Sequence, residues 1–550
     1  MFTRAEPMHL PSPPAGPSAR LFDRLSLLVL LLTACVALAT FRHYGLGWDD
    51  YTHAQMGEKL LALYNSGFSN KDAFSFVNLY MYGGAFDMLA ALAAKILPFE
   101  LFETRRLTGA AVGLVGLFTT WRIGRRVGGP LAGFLALLLL ASCPVFYGHA
   151  FINAKDVPFA VASAILLLGL VRIFEEYPRP AFASVMLFGC GLGLTLGTRI
   201  MGVMIGVWAA AALVFMFTSE ATTRGRRPAL ARLGRFFVVL LPGFILGYAV
   251  MGLVWPWAVM APLNPLRALE YFLVFFEKPW REVFAGQLIS VPDMPARYLP
   301  TLLALKLPEI MIALALGGVV LAGARLANKA LPVQQRSVQL LLLAAALGPM
   351  LIVITTRPAM YNGFRHFLFL LPPLAVLGGL AGAWLMERAA GLGRTAAAAA
   401  SAAIAIAIAS PVVEMVRLHP YEYTHFNRLQ GGVRGAHNRY MLDYWGLSFK
   451  QAAEELRALV AERLGPPPDG RRWKVAVCGP HPPAAVELGP EFELTWDPSG
   501  ADFALMLGAY YCMQFGAPIL TEVVRDGVVY ARAYDIRQRS FSTLFTTPPP

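Results

Sequence analysis

Charge is what this sequence is short of. Only 15% of its 550 residues are Asp, Glu, Lys or Arg, against about 25% in soluble domains. Hydrophobic residues make up 57%, and the mean hydropathy is +0.54. Those figures exclude a water-soluble enzyme, and they exclude disorder, which needs low hydrophobicity. Cysteine is scarce as well. Five in the whole chain are too few for a disulfide scaffold. No unit of 20–50 residues recurs, and 396–409 is merely an alanine-rich span. What is abundant is long apolar runs. The net charge of +13 comes mostly from arginines in the short connections between those runs. They read as topology signals and not as a nucleic-acid patch. The chain is therefore expected to be a polytopic α-helical membrane protein.

Residues 1–20 hold five prolines and no apolar periodicity, so a disordered cytoplasmic tail is expected there. The run 25–41 has small residues near its end, as a signal peptide would, but it is long enough to span and further runs follow. It reads as an anchoring first helix. Further spans are expected at 107–121, 130–147, 157–174, 181–198, 201–218, 235–257, 303–325, 337–356, 366–386 and 395–413, about eleven in all. The apolar segment 76–97 is ambiguous, because Gly83, Gly84 and Asp87 interrupt it. A charge at mid-bilayer costs roughly 2.5–3.5 kcal/mol on insertion scales. Arginine placement decides the matter. Arg4, Arg20 and Arg24 precede the first helix. Five later sets follow, around Arg122–Arg126, Arg172/Arg179, Arg224–Arg235, Arg325–Arg336 and Arg388/Arg394. All six fall on one face only if 76–97 lies at the interface. The N-terminus is then cytoplasmic. The outer face carries loops 42–106 and 258–302 and everything from 415 onward. The 415–550 region has soluble composition, with a helix expected at 447–464, strands at 474–478 and Phe503–Leu507, and a hairpin around Asp526-Gly527 within 523–534. A small α/β domain is the economical reading. Cys478 and Cys512 could pair within it in an oxidising compartment.

The spans lack ionisable residues near their centres. Ion-coupled transporters usually need them there, often on interrupted helices. The polar residues cluster in outer loops instead, which suits a surface site for a substrate that is part lipid and part water-soluble. The first loop opens with Gly47-Trp48-Asp49-Asp50-Tyr51-Thr52-His53. Adjacent carboxylates could supply a general base or hold a divalent cation; equally, the aspartate could cap a helix over 51–63. His53 could join such a cation or be an ordinary surface residue. The second loop contains Asn153, Lys155 and Asp156 ahead of Pro158, with Asp156 placed to cap the next helix. Arg199 lies in a tight turn. Lys278 and Arg281 lie in an aromatic-rich loop, and Tyr361, Arg365 and His366 sit where a helix begins. Arginine and lysine here bind phosphate well, or snorkel to headgroups.

The order of these features resembles the GT-C superfamily of membrane glycosyltransferases, in particular the bacterial relatives of protein O-mannosyltransferases and aminoarabinose transferases. The motifs that carry it are Asp49-Asp50, the 153–159 loop Asn-Ala-Lys-Asp-Val-Pro-Phe, and Tyr361-Asn362-Gly363-Phe364-Arg365-His366 ahead of a Pro-Pro helix. The segment from Arg297-Tyr298-Leu299-Pro300 to Lys306-Leu307-Pro308-Glu309 is similar to the end of that superfamily's long outer loop. The family's acidic pair is often Asp-Glu; here it is Asp-Asp, and the first is favoured as the acting group. The likeness covers roughly 21–415, and the pattern Leu442-Asp443-Tyr444-Trp445-Gly446 beyond it looks like a subgroup extension.

The resemblance implies transfer of a sugar from a polyprenyl-phosphate donor to a lipid, glycan or protein acceptor on the outer face of a bacterial inner membrane, with 415–550 periplasmic. It implies no nucleotide, and leaves a divalent cation open. Asp49 and Asp50 are the expected catalytic residues, and Asn153, Lys155, Asp156, Arg199, Tyr361, Arg365 and His366 the expected substrate-binding set. The rival reading is a transporter or lipid flippase, which would need a midplane polar pathway and a pseudo-repeat between halves.

Overall fold

A computed structural model describes residues 17–273, 280–467 and 470–544. The expected tail up to residue 16 and Lys278 lie outside the described residues. Among the latter, nine helices are long and apolar enough to cross a membrane. The first is α1 (Pro17–Thr40). α2 (Asp50–Asn65) and α3 (Ala85–Ala94) follow in the first outer loop. The ten residues of α3 give about 15 Å of helix, half the thickness of a bilayer core. It is too short to cross.

α4 (Leu101–Ala141) is two helices in one, broken at Gly129, whose φ of 85° precedes Pro130. The halves fold back on each other. A Cβ on Gly133 would lie 2.7 Å from the backbone nitrogen of Arg125, so only glycine lets them meet there. Its halves supply the expected spans 107–121 and 130–147, although the second stops at Ala141. Pro144 opens a separate helix instead, α5 (Pro144–Ile152), as proline suits a first turn.

α6 (Asp156–Glu175), α7 (Phe182–Thr198), α8 (Val203–Arg224) and α9 (Arg226–Val254) continue the bundle. α7 is 17 residues long, just short of a span by length alone, yet it packs between α6 and α9. Two short helices, α10 (Pro256–Met260) and α11 (Asn264–Leu273), lead to an outer hairpin, β1 (Arg281–Phe284) and β2 (Gln287–Ser290). The expected span 303–325 is divided at Pro308, which lacks the N–H a continuous helix requires. The pieces are α12 (Tyr298–Lys306) and α13 (Glu309–Ala327). α14 (Val333–Thr356), α15 (Leu371–Gly391) and α16 (Arg394–Leu418) complete the domain. Counting both halves of α4 and the short α7, every expected span has its helix.

The arginine-rich connections meet at one end of the bundle. Arg125 binds Asp23 at the start of α1 at 2.6 Å, Arg126 binds Glu175 at the end of α6, and Arg232 on α9 binds Glu220 on α8. The opposite end carries the C-terminal unit. It contains the short α17 (Gly432–Ala436), α18 (Phe449–Arg463), β3 (Trp473–Cys478), α19 (His481–Leu488), β4 (Phe492–Thr495), β5 (Phe503–Leu507), β6 (Ile519–Arg525) and β7 (Val528–Asp535). The sheet order is β4-β3-β5-β7-β6, with the first three strands parallel. Phe449, Ala452, Ala453, Leu456 and Val460 form the buried stripe of α18 at helical spacing. Asp526 and Gly527 take φ of 50° and 76°, the pair of left-handed residues a tight hairpin demands. Cys478 and Cys512 are joined by a disulfide. The outer hairpin is fastened to this unit, since Phe284 bridges Tyr440 and Gly286 N–H donates to Arg439 O at 3.0 Å.

Candidate active site

Asp49 stands at the cap position of α2, but its side chain makes no capping hydrogen bond. Instead it opens onto a cavity of about 530 Å³, with its side chain 36% exposed. Lys155 Nζ lies 3.8 Å from Asp49 Oδ2, and Arg365 Nη1 lies 3.3 Å from the same oxygen. Burial would push this carboxyl up, but Lys155 and Arg365 outweigh it and hold the pKa down to about 2. Asp49 is thus a carboxylate at any physiological pH.

Asp50 points elsewhere. Successive helical residues are rotated by about 100°, and its side chain, 3% exposed, meets Arg105 Nε at 2.8 Å and Arg106 Nη1. Burial is again outweighed, here by Arg106 and Arg105, and its pKa is lowered. Arg105 also binds Asp87 at 3.0 Å, and Asp87 binds His53 Nδ1 at 2.7 Å. This buried network ties α2, α3 and α4 together. It accounts for the charge that interrupts the 76–97 segment, and it engages His53. Among the described residues no group of three or more His, Cys, Asp or Glu is placed to hold a metal ion.

The second loop is capped differently from expectation. Lys155 holds the cap position of α6 and Asp156 is its first residue, with no side-chain cap bond; Asn153 closes the turn ahead of the helix, its Oδ1 accepting from the N–H groups of Lys155 and Asp156 at 3.1 and 2.7 Å. A side-chain amide two or three residues upstream reaches these donors more easily than a carboxylate already inside the helix. Asp156 is left free to bind side chains. It is 1% exposed and accepts from Asn153 Nδ2 at 3.0 Å, from Arg365 Nη1 at 3.4 Å and from Arg199 Nη1. Arg365 therefore bridges two carboxylates, one facing the cavity and one behind it. Three cations against two carboxylates leave the cluster net positive, a setting suited to an anion.

Tyr361 lines the cavity and Arg365 packs over its ring at 5.4 Å. His366 does not line the cavity itself but lies behind Tyr361, ring to ring at 5.1 Å, and faces Asp156 and Arg365 electrostatically. Arg281 also lines the cavity, from β1. Of the expected set, then, Asp49, Asn153, Lys155, Asp156, Arg199, Tyr361 and Arg365 come together with His366 beside them, whereas Asp50 is turned aside.

Three further residues join them. Tyr82 lies under both Lys155 and Arg199, with the cations 4.9 and 5.6 Å from its ring. It reaches them because Gly83 sits against the carbonyl of Gly197, where any Cβ would collide. Trp445, from the C-terminal unit, covers Arg365 at 5.0 Å. Beside it Tyr444 Oη meets His149 Nε2 at 3.0 Å. Burial pushes His149 down to about 3, so it is neutral there. The sequence held signals for these: the Gly83-Gly84 interruption, and the Tyr444-Trp445 pair in the extension motif.

The fold and the order of its loop motifs are similar to those of the GT-C membrane glycosyltransferases. Residues 85–256 match the model of the family described as dolichyl-phosphate-mannose-protein mannosyltransferase. An archaeal oligosaccharyltransferase, AglB from Archaeoglobus fulgidus, in complex with an inhibitory peptide and a dolichol-phosphate, aligns at 12% identity with a TM-score of 0.50, over 88% of this chain and 69% of its own. ArnT from Cupriavidus metallidurans, bound to undecaprenyl phosphate, aligns at 14% identity and TM-score 0.47, over 96% of this chain and all of its own. The mycobacterial arabinofuranosyltransferase AftD aligns at 15% identity and TM-score 0.42, over 94% of this chain and 40% of its own. A comparison with curated proteins finds no match. The likeness to the GT-C superfamily first read from three loop motifs is shown by the family match and the fold.

Proposed function

We propose that this protein is a glycosyltransferase of the inner membrane. It takes a hexose or pentose from a polyprenyl-phosphate donor and passes it to a lipid, glycan or protein acceptor on the outer face. The observation that carries the reading is Asp49: an uncapped carboxylate, open to a cavity and paired with Lys155 and Arg365. The acceptor oxygen attacks the anomeric carbon and its proton passes to Asp49. The bond from that carbon to the phosphate oxygen breaks, and polyprenyl phosphate leaves with the electron pair. Lys155 and Arg365 neutralise the charge that grows on the phosphate, with Arg199 adding positive charge from behind. Stabilisation of developing charge is usually the largest single contribution to such barriers.

The same two cations also tune the base. With the cavity free of anion they hold Asp49 at about 2, a weak base. A bound donor phosphate competes for Lys155 and Arg365, and the basicity of Asp49 rises just when a proton must be taken. Asp156 positions Arg199 and Arg365 in this scheme. The donor's tail stays in lipid beside the apolar helices, so no nucleotide is required.

The orientation we propose puts the N-terminus in the cytoplasm, supported by the arginine-rich connections gathered at one end of the bundle. The cavity and residues 415–550 are then periplasmic, where a Cys478–Cys512 disulfide would persist. The test uses protein in lipid nanodiscs with polyprenyl-phosphate sugars and a membrane extract as acceptor source, and follows free polyprenyl phosphate by mass spectrometry. Wild type releases it, and Asp49→Asn slows release by roughly 10²–10⁴-fold, the usual contribution of a general base. Equal release by the two proteins would remove Asp49 from the mechanism.

A further inference from the structure

Two successive residues ahead of Arg365 take left-handed backbone, Asn362 at φ 57° and Gly363 at φ 69°. Such a conformation costs a non-glycine residue energy and persists where its surroundings fix it. The fixing group is Glu282 on β1. Its carboxylate, on a residue 5% exposed, accepts from Asn362 N–H at 2.5 Å and from Gly363 N–H at 3.4 Å. Tyr298 at the start of α12 closes the arrangement, with its Oη 2.5 Å from Glu282 Oε1 and 3.2 Å from the carbonyl oxygen of Gly363.

The segment held this way carries Tyr361 on one side and Arg365 on the other. The hairpin that carries Glu282 is itself held by the C-terminal unit, through the Phe284–Tyr440 bridge, the Gly286-to-Arg439 bond and Tyr510 Oη, which donates to Arg281 O at 2.5 Å. From these contacts we infer that Glu282 is a positioning residue: it clamps the Asn362-Gly363 backbone so that Arg365 meets an anion in the cavity, and it passes the docking of the C-terminal unit on to that arginine. For its ligand the inference rests on the proposed function.

The clamp does not depend on one charge state. Burial pushes the Glu282 carboxyl up to about 7, against the pull of Tyr298, of the two N–H groups and of Arg365. Lys306, Tyr444 and Tyr510 also face it electrostatically. As carboxylate, Glu282 accepts from Tyr298. As carboxylic acid it donates to Tyr298 Oη, whose own hydrogen then goes to the Gly363 carbonyl. Asn362 N–H keeps its acceptor in both states. A glutamine keeps that acceptor too, and an alanine keeps none.

The experiment compares wild type with Glu282→Ala, Glu282→Gln and Tyr298→Phe in nanodiscs. One readout is backbone hydrogen exchange of the peptide covering 358–366, and the other is affinity for undecaprenyl phosphate as the anion probe. Losing both acceptors, two net hydrogen bonds, should speed exchange and weaken binding by about thirtyfold in Glu282→Ala. Glu282→Gln should restore both, and Tyr298→Phe should fall between. Wild-type exchange in Glu282→Ala would overturn the inference, as would Glu282→Gln behaving like alanine. Should Glu282→Ala fail to fold, the glutamine and phenylalanine variants still decide it. If wild type bound no undecaprenyl phosphate, that would count against the donor reading, while the exchange comparison would still judge the clamp by itself.

Discussion

Adjacent aspartates with opposite surroundings should fail in opposite ways. Replacing Asp50 by Asn removes the counter-charge of Arg106, which is 2% exposed, has no partner for its Nε, and would keep only the carbonyl of Gly45 at 2.7 Å. Arg105 fares better, because Asp87 remains at 3.0 Å. Stripping one partner from a buried ion pair typically costs about 3–5 kcal/mol. Replacing Asp49 by Asn is milder. Its side chain is 36% exposed, and Arg365 retains Asp156 at 3.4 Å, so a cost of about 1 kcal/mol or less is expected. The assay is heat unfolding in nanodiscs at one fixed scan rate, read by intrinsic tryptophan fluorescence. Membrane proteins often unfold irreversibly, and the fixed rate keeps the comparison fair. Asp50→Asn should unfold well below wild type, and Asp49→Asn close to it. A second variant sharpens the test. Asp50→Asn combined with Arg106→Gln should recover part of the loss, since removing both partners costs less than removing one. The reasoning fails if Asp50→Asn matches wild type, or if Asp49→Asn unfolds as early as Asp50→Asn.

Arg365→Lys keeps the charge but removes Nη1, the one nitrogen that bridges Asp49 and Asp156, together with the planar guanidinium that can meet a phosphate through two N–H groups. Release of polyprenyl phosphate should slow by about 10²-fold with little change in unfolding temperature, and near-normal release would argue against Arg365 at the phosphate. Stability should vary with pH in two separable ways. Asp49 has its folded pKa lowered to about 2, so its contribution is complete above the unfolded value near 3.9 and is lost as pH falls from there toward 2. Glu282 is raised to about 7, so the folded state binds the extra proton, and its contribution declines as pH climbs from roughly 4 to 7. Unfolding temperatures measured across that second window should fall more steeply in wild type than in Glu282→Gln. Parallel slopes would refute the assignment.

The helices were legible because each must bury or expose a long apolar run, and that constraint is written locally. The break in α4 was partly legible, since Gly129-Pro130 stands beside the charged turn. The pairing within Asp49-Asp50 was not. Which neighbour faces the cavity depends on the helical rotation of α2 and on Arg105 and Arg106, some 55 residues away. The sequence points to Asp156 as the cap of α6, whereas Asn153 closes the turn ahead of that helix, because both residue types bind backbone N–H groups and only the turn geometry separates them. In the C-terminal unit α18, β3, β5 and the β6–β7 hairpin carry strong periodic or turn signals. α19 begins with His481-Pro482-Pro483, which reads as a loop until the prolines are found in a first turn. The outer hairpin was missed although Ala285-Gly286 sits between short apolar pairs. Tyr82 and Trp445 reach the site through tertiary approach, and the Gly83-Gly84 and Tyr444-Trp445 patterns mark their segments without saying what they meet.

The cavity's walls are drawn from both extremes of the chain. Asp49 lies near the beginning, and Trp445 and Tyr510 are separated from it by about 400 and 460 residues. A ribosome delivers them in that order, so through most of synthesis the nascent protein has Asp49 but no roof above Arg365. Only when the last strands pair and α18 docks does the pocket close around the cation cluster. Assembly of the cavity therefore waits on the C-terminal unit. On the proposed function, half-made or prematurely terminated chains would lack a complete site for the donor phosphate.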